Sequence, residues 1–189
     1  MQNHLFVDEE DGGWFSTTGE DPTVLLRLKE DYDGAEPSAG SVTVGNLLTL
    51  AHLCGAEAAV GDGDRIERAL RRLGSSPREA RVTPMMMAAA STYLAGIPQV
   101  IIVGARNAAG TIALHRQFIR CFLPGAVSLV AEPGGHHAAL VERLPWLGTM
   151  VATDGRPTAY LCRGFTCQEP TSDPELFRDQ LVGLAEIAC

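Results

Sequence analysis

Apolar residues recur at helical spacing in three segments of the first half of the chain. The third segment reads MMMAAASTYLA and is apolar on almost every side, so we expect it to be buried on more than one face, with its methionines filling a core. The first and third predicted helices begin at an N-cap residue, and a glycine stands at the end of each of the three. They run from Ser41 as N-cap to Gly55, from about Asp64 to Leu73, and from Met85 to Ala95 with Thr83 as N-cap.

Two strand-like stretches precede these helices. The turn residues Asp11-Gly12-Gly13 lead into Trp14–Thr17, which is rich in strand formers. The second stretch, Val24–Leu28, leads into an acidic loop that extends to Ser38.

In the second half, short strand-like runs, the first of them β-branched, alternate with segments of helical spacing. The runs are Val100–Val103, Val127–Val130 and Ala159–Cys162, and helical spacing follows each of the first two. A last helix is predicted to begin at Ser172 or Asp173 and to face inward with Leu176, Phe177, Leu181 and Leu184. This alternation favours a small parallel or mixed sheet covered by helices. We place the division between the two parts at Gly96-Ile97-Pro98, giving regions 1–97 and 98–189.

The three helices of the first region have broad apolar faces and too few neighbours to cover them. Elements of a domain bury their apolar faces in packed layers. The cover must therefore come from the α/β part, from a preceding segment or from another chain.

Composition excludes several classes of protein. No apolar run reaches the roughly 18 residues of a membrane-spanning helix, and the N-terminus lacks the pattern of a secretory signal, so we expect a cytoplasmic protein without a membrane partner. The net charge is −8, and residues 1–40 carry all of it, with ten acidic and two basic side chains. No basic patch that could bind a phosphate backbone is visible, which argues against nucleic acid. The single lysine, Lys29, is accompanied by fourteen arginines, so either the composition is biased or position 29 requires an ammonium group.

Several motifs follow one another in a fixed order along nearly the whole chain. They are Gly12-Gly13-Trp14-Phe15, the segment from Arg27 to Ser38 (RLKEDYDGAEPS) with Ser41 and Asn46-Leu47-Leu48 after it, Val100–Gly104, Phe122-Leu123-Pro124, Ala159–Cys167 and Pro170-Thr171. In combination and order, these motifs resemble the spermatogenesis-associated protein 20 / thioredoxin-domain-containing family. The segment from Arg27 to Ser38 resembles the family's central pattern, with Gly40 where the family usually has Asn.

The resemblance implies a longer protein, with a thioredoxin-like domain and an (α/α) toroid similar to that of six-hairpin glycosidases and N-acylglucosamine 2-epimerases. Region 1–97 would then hold the last toroid helices with short strands and loops, and region 98–189 would form a small three-layer α/β subdomain, an α+β to α/β fold overall. The implied partners are the upstream toroid and thioredoxin-like domain or a second copy of this chain. No cofactor is implied.

The acidic loop is the best candidate for chemistry. In a toroid cavity, Asp33 and Glu36 could serve as general acid and base on a sugar-type small molecule, with Asp31 beside them. Arg27, Lys29 and Ser38 are the candidate binding residues. The alternative is a solvated loop in which Asp33-Gly34 and Pro37-Ser38 form turns.

Cys162 and Cys167 form a second candidate, a thiol pair after a strand. Zinc would need further ligands that the spacing does not provide, so we expect no metal site. A disulfide and reduced thiols both remain open, and a reducing compartment favours the thiols. Adjacent His136 and His137 point about 100° apart on a helix and are expected to be exposed rather than to chelate.

Two hypotheses for function follow. In the first, the chain is part of a carbohydrate-active cavity that uses the acidic loop. In the second, which we favour for this chain, it is a structural or interaction module without a complete catalytic site.

Overall fold

The computed structural model describes residues 2–30, 32–55, 62–74, 81–164 and 166–186. The chain divides into two compact units, the first made of residues 1–51 and 56–94 and the second of residues 52–55 and 95–189. The described residues form a mixed α/β structure with one four-stranded sheet. None of the described helices is long and apolar enough to cross a bilayer.

The three predicted helices lie chiefly in the first unit, and only their residues 52–54 and 95 are grouped with the second. They are α2 (Ala39–Cys54), α3 (Asp62–Gly74) and α4 (Pro84–Ala95), preceded by the short helix α1 (Gln2–Leu5). The expectation that Ser41 caps α2 is wrong, because the helix begins at Ala39 and the Ser38 hydroxyl accepts a hydrogen bond from the Ser41 amide at 3.2 Å. Serine at the position before the first helical residue supplies the acceptor that an N-terminal amide needs.

Helices α2 and α4 leave apolar side chains at the surface, as the shortage of neighbouring elements predicts. Among the described residues of α4, only Ala89 is buried, whereas Leu94 is 84% exposed. Met85 and Met87 are 44% and 43% exposed, so the prediction that the methionines fill a core is wrong for both. On α2, Leu50 is 49% exposed while Val44, Leu47 and Leu48 are buried.

Neither of the two early strands forms. Trp14 makes an isolated antiparallel bridge with Val7, and residues 24–28 are irregular. The prediction of strands at Trp14–Thr17 and Val24–Leu28 is therefore wrong, because side-chain anchors rather than a β-ladder hold these segments.

The second unit is built on a mixed sheet with strand order β2-β1-β3-β4. Strand β1 pairs in parallel with β2 and antiparallel with β3, and β3 pairs antiparallel with β4. The three predicted strands and the mixed sheet are confirmed, whereas the two-residue β4 was not predicted. The elements are β1 (Pro98–Val103), α5 (Ala109–Arg120), β2 (Val127–Ala131), α6 (Gly135–Arg143), a 3-10 turn (Pro145–Thr149), β3 (Thr158–Arg163), β4 (Thr166–Cys167) and α7 (Pro174–Glu186).

Strand β1 is buried along its whole length because both faces of the sheet are covered. On one face, Val100 and Ile102 pack with Phe177 and Leu181 of α7. On the other, Ile101 packs in a cluster with Leu147. A strand buried on both sides reads as a continuous apolar run, which is why Val100–Val103 was recognisable in the sequence.

Helix α7 confirms most of its predicted inner face. Phe177, Leu181 and Leu184 are buried, but Leu176 is 52% exposed and its inward assignment is wrong. The Asp173 carboxylate accepts hydrogen bonds from the amides of Glu175 and Leu176, at 2.8 and 3.4 Å, and so caps the helix.

Candidate functional site

Arg27 is an anchor for the first unit. Its guanidinium donates to the Thr17 carbonyl at 3.0 and 3.2 Å and to the Leu5 carbonyl at 3.2 Å. It also lies over the Phe15 ring, 4.0 Å from the centroid. A planar guanidinium suits this combination, because its edge donates while its face stacks. The predicted binding residue thus contacts its own chain on several sides.

Lys29 is the cation of a shielded ion pair. Its Nζ lies 2.6 Å from an Asp8 carboxylate oxygen and donates to the Gly12 carbonyl at 2.8 Å, and the two charged side chains are only 9% and 12% exposed. The hydrogen bond from Lys29 is the largest cause that lowers the pKa of Asp8. Nζ also lies 5.2 Å from the Phe15 centroid. One compact ammonium group therefore contacts the Asp8 carboxylate, the Gly12 carbonyl and the Phe15 ring, which explains why position 29 is a lysine.

Asp33 holds together two helix starts. One carboxylate oxygen accepts from the Ser38 amide at 2.8 Å, and the other accepts from the amides of Met85 at 2.8 Å and Met86 at 3.4 Å. Burial alone would raise the pKa of Asp33, but the hydrogen bonds from Ser38, Ser41 and Met85 keep that pKa below its ordinary value. The carboxylate also lies at the positive end of α4. Sequence reasoning missed this role because the amides lie about 50 positions downstream.

Ser38 completes the local network. It is 2% exposed, and its hydroxyl donates to the Ser41 hydroxyl at 2.8 Å while accepting from the Ser41 amide. These contacts start α2 and leave Ser38 in the wall of a cavity.

Glu36 differs from the other four candidate residues because its side chain is exposed and makes no hydrogen bond or ion pair with the described residues. Its carbonyl accepts from the Gly34 amide at 3.0 Å. Asp31 lies outside the described residues. The contacts of Asp33 are those of a helix cap, and its pairing with Glu36 as general acid and base stays a prediction.

Two hollows in the first unit involve the candidate binding residues. A cavity of about 50 Å³ has Lys29 and Ser38 in its wall, together with Trp14 and Thr83. That is room for a few water molecules and far less than the several hundred Å³ of a typical ligand site. A wide, open groove of about 760 Å³ is bordered by Arg27 and Lys29 and by the acidic run from Asp8 to Asp11. Neither Asp33 nor Glu36 lines either hollow.

The thiol candidates of the second unit are joined in a disulfide. Cys162 and Cys167 stand opposite each other in the β3–β4 register, with their Cα atoms 3.9 Å apart. The expectation of reduced thiols is therefore not what the structure shows. The tight hairpin, which turns at Gly164 with φ of 55°, forces the two side chains together.

The remaining motifs form no evident site. His136 is exposed as predicted, whereas His137 is half-buried. In the loop between β1 and α5, the Arg106 amide donates to the Glu132 carboxylate at 3.1 Å, so an acidic side chain already occupies this loop. No three His, Cys, Asp or Glu residues of the described ranges group closely enough to hold a metal ion.

Comparison with known proteins identifies relatives along nearly the whole chain. It is 35% identical over 178 residues to human "Spermatogenesis-associated protein 20" and 35% identical over 179 residues to the rat protein of that name, which is 92% of this chain in each case. The mouse protein is 33% identical over 178 residues. The chain spans only 22% of the length of these relatives. No protein-family model matches the chain, and no solved structure does.

Proposed function

Because the chain is related over 92% of its length to spermatogenesis-associated protein 20, we propose that it acts as a structural and interaction module of a longer protein of this family. The match is consistent with a C-terminal portion of the family. The finer architecture belongs to the same proposal: an (α/α) toroid completed by region 1–97, an α/β subdomain in region 98–189, a thioredoxin-like domain upstream and a cytoplasmic location.

One observation carries the proposal, namely the apolar surface of α4. Leu94, Met85, Met87 and Tyr93 are 84%, 44%, 43% and 37% exposed. A helix that exposes this much apolar surface is suited to bind a partner. The relatives are more than four times as long as the matched region, so they contain ample chain to cover it.

The four anchored motif residues support the same conclusion. Arg27, Lys29, Asp33 and Ser38 each contact main-chain groups of the first unit, which fixes the shape of the loop. Side chains that are fixed in this way hold the surface of the module in place.

The test compares the same double substitution, Met87→Ser with Leu94→Ser, in the 189-residue chain and in a longer family protein that contains it. In the short chain the free energy of unfolding should change by less than about 1 kcal/mol, because both side chains are already exposed. In the longer protein the melting temperature should fall by several degrees, since two buried apolar contacts are lost. Ala88→Ser, at an exposed position of the same helix outside the face shared by Met87 and Leu94, is the control. An unchanged melting temperature in the longer protein would overturn the proposal.

The carbohydrate cavity is the second candidate, and the groove bordered by Arg27 and Lys29 favours it. Its volume of about 760 Å³ suits a sugar-sized ligand, and acidic side chains line it. Titration of the longer protein with sugars and sugar phosphates, followed by calorimetry, tests this idea. Binding that Glu10→Ala weakens would support the groove as the site, because Glu10 lines it. Binding that Glu10→Ala leaves unchanged would overturn this candidate, and a further loss in Glu36→Ala would show that the exposed Glu36 carboxylate contributes from outside the groove.

A further inference from the structure

The segment from Leu26 to Glu30 has its polarity reversed relative to an ordinary surface strand. Exposure alternates with period two: Leu26, Leu28 and Glu30 are exposed, whereas Arg27 and Lys29 are half-buried. Leu26 and Leu28 are 72% and 63% exposed, and the adjacent Leu25 is fully exposed. Surface strands normally turn apolar side chains inward and charges outward. We call Leu25, Leu26 and Leu28 the leucine strip.

The inward cations hold the leucine strip at the surface. Arg27 is fixed by two carbonyl groups and an aromatic ring, and Lys29 by Asp8 and a further carbonyl. These anchors define which way the intervening leucines point. Three exposed leucines on a fixed segment form an apolar contact surface rather than a scattered set.

The main chain of this segment is also open to a partner. Leu28 accepts a hydrogen bond from the Ser16 amide at 2.8 Å. Among the described residues, no other hydrogen bond joins the main chain of residues 25–30 to another main-chain group. The chain bends at Leu25 and Leu26 and then runs from Arg27 to Glu30 without a helix, turn or bend. Unpaired N–H and C=O groups of such a segment are what an added β-strand binds.

Acidic side chains flank the leucine strip on both sides. Glu20 and Asp21 precede it and Glu30 follows it, and all three are exposed. In the described ranges none of them forms a salt bridge, although the Asp21 carboxylate accepts hydrogen bonds from Thr23. The first forty residues together carry a net charge of −8, so a docking partner gains by supplying cations.

We propose that the leucine strip binds a protein partner by strand addition, and that the partner presents an extended apolar segment flanked by lysine or arginine. This inference rests on the proposed role as an interaction module and names the chemistry of one partner. It concerns a surface separate from the exposed face of α4, so the two proposals can fail independently.

The probe is a capped synthetic peptide, KKLVLVLKK, whose apolar centre and cationic ends mirror the strip. Two companion peptides separate the contributions: EELVLVLEE reverses the charge, and KKSTSTSKK removes the apolar centre. Binding to the full 189-residue chain is measured by fluorescence anisotropy at low and at physiological salt. The chain is also sedimented alone over a range of concentrations.

The test variant is Leu26→Ser with Leu28→Ser, and its matched control is Leu176→Ser with Val182→Ser, which alters two exposed apolar residues of α7 without a charge change. We expect KKLVLVLKK to bind, the test variant to weaken binding at least about tenfold, and the control to leave it unchanged. Added salt should weaken binding through screening.

A charge-reversed variant keeps the test decisive if the serine variant fails to fold. Glu20→Lys with Glu30→Lys should weaken binding of KKLVLVLKK and strengthen binding of EELVLVLEE, because it changes the net charge of the first forty residues from −8 to −4. Equal binding of KKLVLVLKK and KKSTSTSKK would indicate unspecific charge attraction and overturn the proposal, as would equal effects of the test and control variants. Dimers in sedimentation that the leucine substitutions abolish would make a second copy the occupant, which also overturns it.

Discussion

Replacement of Asp33 by alanine separates an architectural role from a catalytic one. The substitution removes the acceptor for the Ser38 amide and for the amides at the start of α4, Met85 and Met86. If the carboxylate is a helix cap, the first unit must lose stability. If it is chiefly a catalytic group, stability should change little.

The expected loss follows from the hydrogen bonds. Removing a capping acceptor costs about 1 kcal/mol, and a hydrogen bond to a charged group contributes about 1.5–3 kcal/mol when it is well shielded. The Met86 contact is long at 3.4 Å, and the carboxylate is only partly buried, which reduces the total. We therefore expect Asp33→Ala to lower the free energy of unfolding by about 2–3 kcal/mol.

The assay is urea unfolding followed by circular dichroism, with hydrogen exchange at the Ser38 and Met85 amides. Glu36→Ala is the matched control, because that carboxylate is exposed and its removal should cost less than about 0.5 kcal/mol. Loss of protection confined to these amides in Asp33→Ala would locate the effect at the cap.

The same role predicts a pH dependence. The pKa of Asp33 lies below its ordinary value in the folded state, so its contribution is complete above the unfolded-state pKa of about 4 and is lost as pH falls through the folded-state pKa. The stability difference between the natural chain and Asp33→Asn should be constant from about pH 5 to 7 and shrink in stronger acid. An Asp33→Ala variant as stable as Glu36→Ala, or a difference that grows in acid, would refute the reasoning.

Three further predictions concern other contacts. Lys29→Arg should lower the free energy of unfolding by about 1–3 kcal/mol, because the larger guanidinium cannot occupy the shielded position beside Asp8; urea unfolding checks this. Gly104→Ala should cost about 1–3 kcal/mol in the same assay, because a Cβ at this position would lie 2.5 Å from a hydroxyl and 2.8 Å from a proline carbon. Reduction of the Cys162–Cys167 bond, or the double change to serine, should cost about 2 kcal/mol by loop-closure entropy and lower the melting temperature.

The second and third of these predictions have matched controls. Gly40→Ala introduces a Cβ with no atom within 4 Å and should be tolerated, and Cys121→Ser changes a half-buried free thiol without touching the disulfide. If Lys29→Arg leaves the free energy of unfolding unchanged, position 29 does not require an ammonium group, and the single lysine reflects only a biased composition. Equal costs for Gly104→Ala and Gly40→Ala would contradict the packing argument.

The sequence predicted the second unit better than the first, because the second unit is encoded by patterns within single elements. The buried residues of strand β1 form a continuous apolar run, and those of helix α7 recur at helical spacing. The role of Asp33 as a helix cap depends on the Met85 amide, which is distant in sequence, and no residue near position 33 indicates that contact. Strand propensity predicted that Leu26 and Leu28 lie in a β-strand. Their conformation instead depends on the contacts of Arg27 and Lys29, which a propensity scale does not include.

The methionines of α4 mark a second limit. An all-apolar segment reads as buried, yet whether it is covered depends on what surrounds it. Met85 and Met87 remain 44% and 43% exposed in this chain because the described elements do not cover them.

The chain that follows β3 gives the sheet a closed border. Cys167 pairs with Cys162, the Gln168 amide donates to the Leu161 carbonyl at 2.9 Å, and Ala159 exchanges both hydrogen bonds with Thr171. This short, irregular return occupies the outer edge of β3, where an uninterrupted strand would offer a template for another molecule. The second unit is thereby protected from edge-to-edge aggregation on this side, and any lengthening of the sheet has to start at β2.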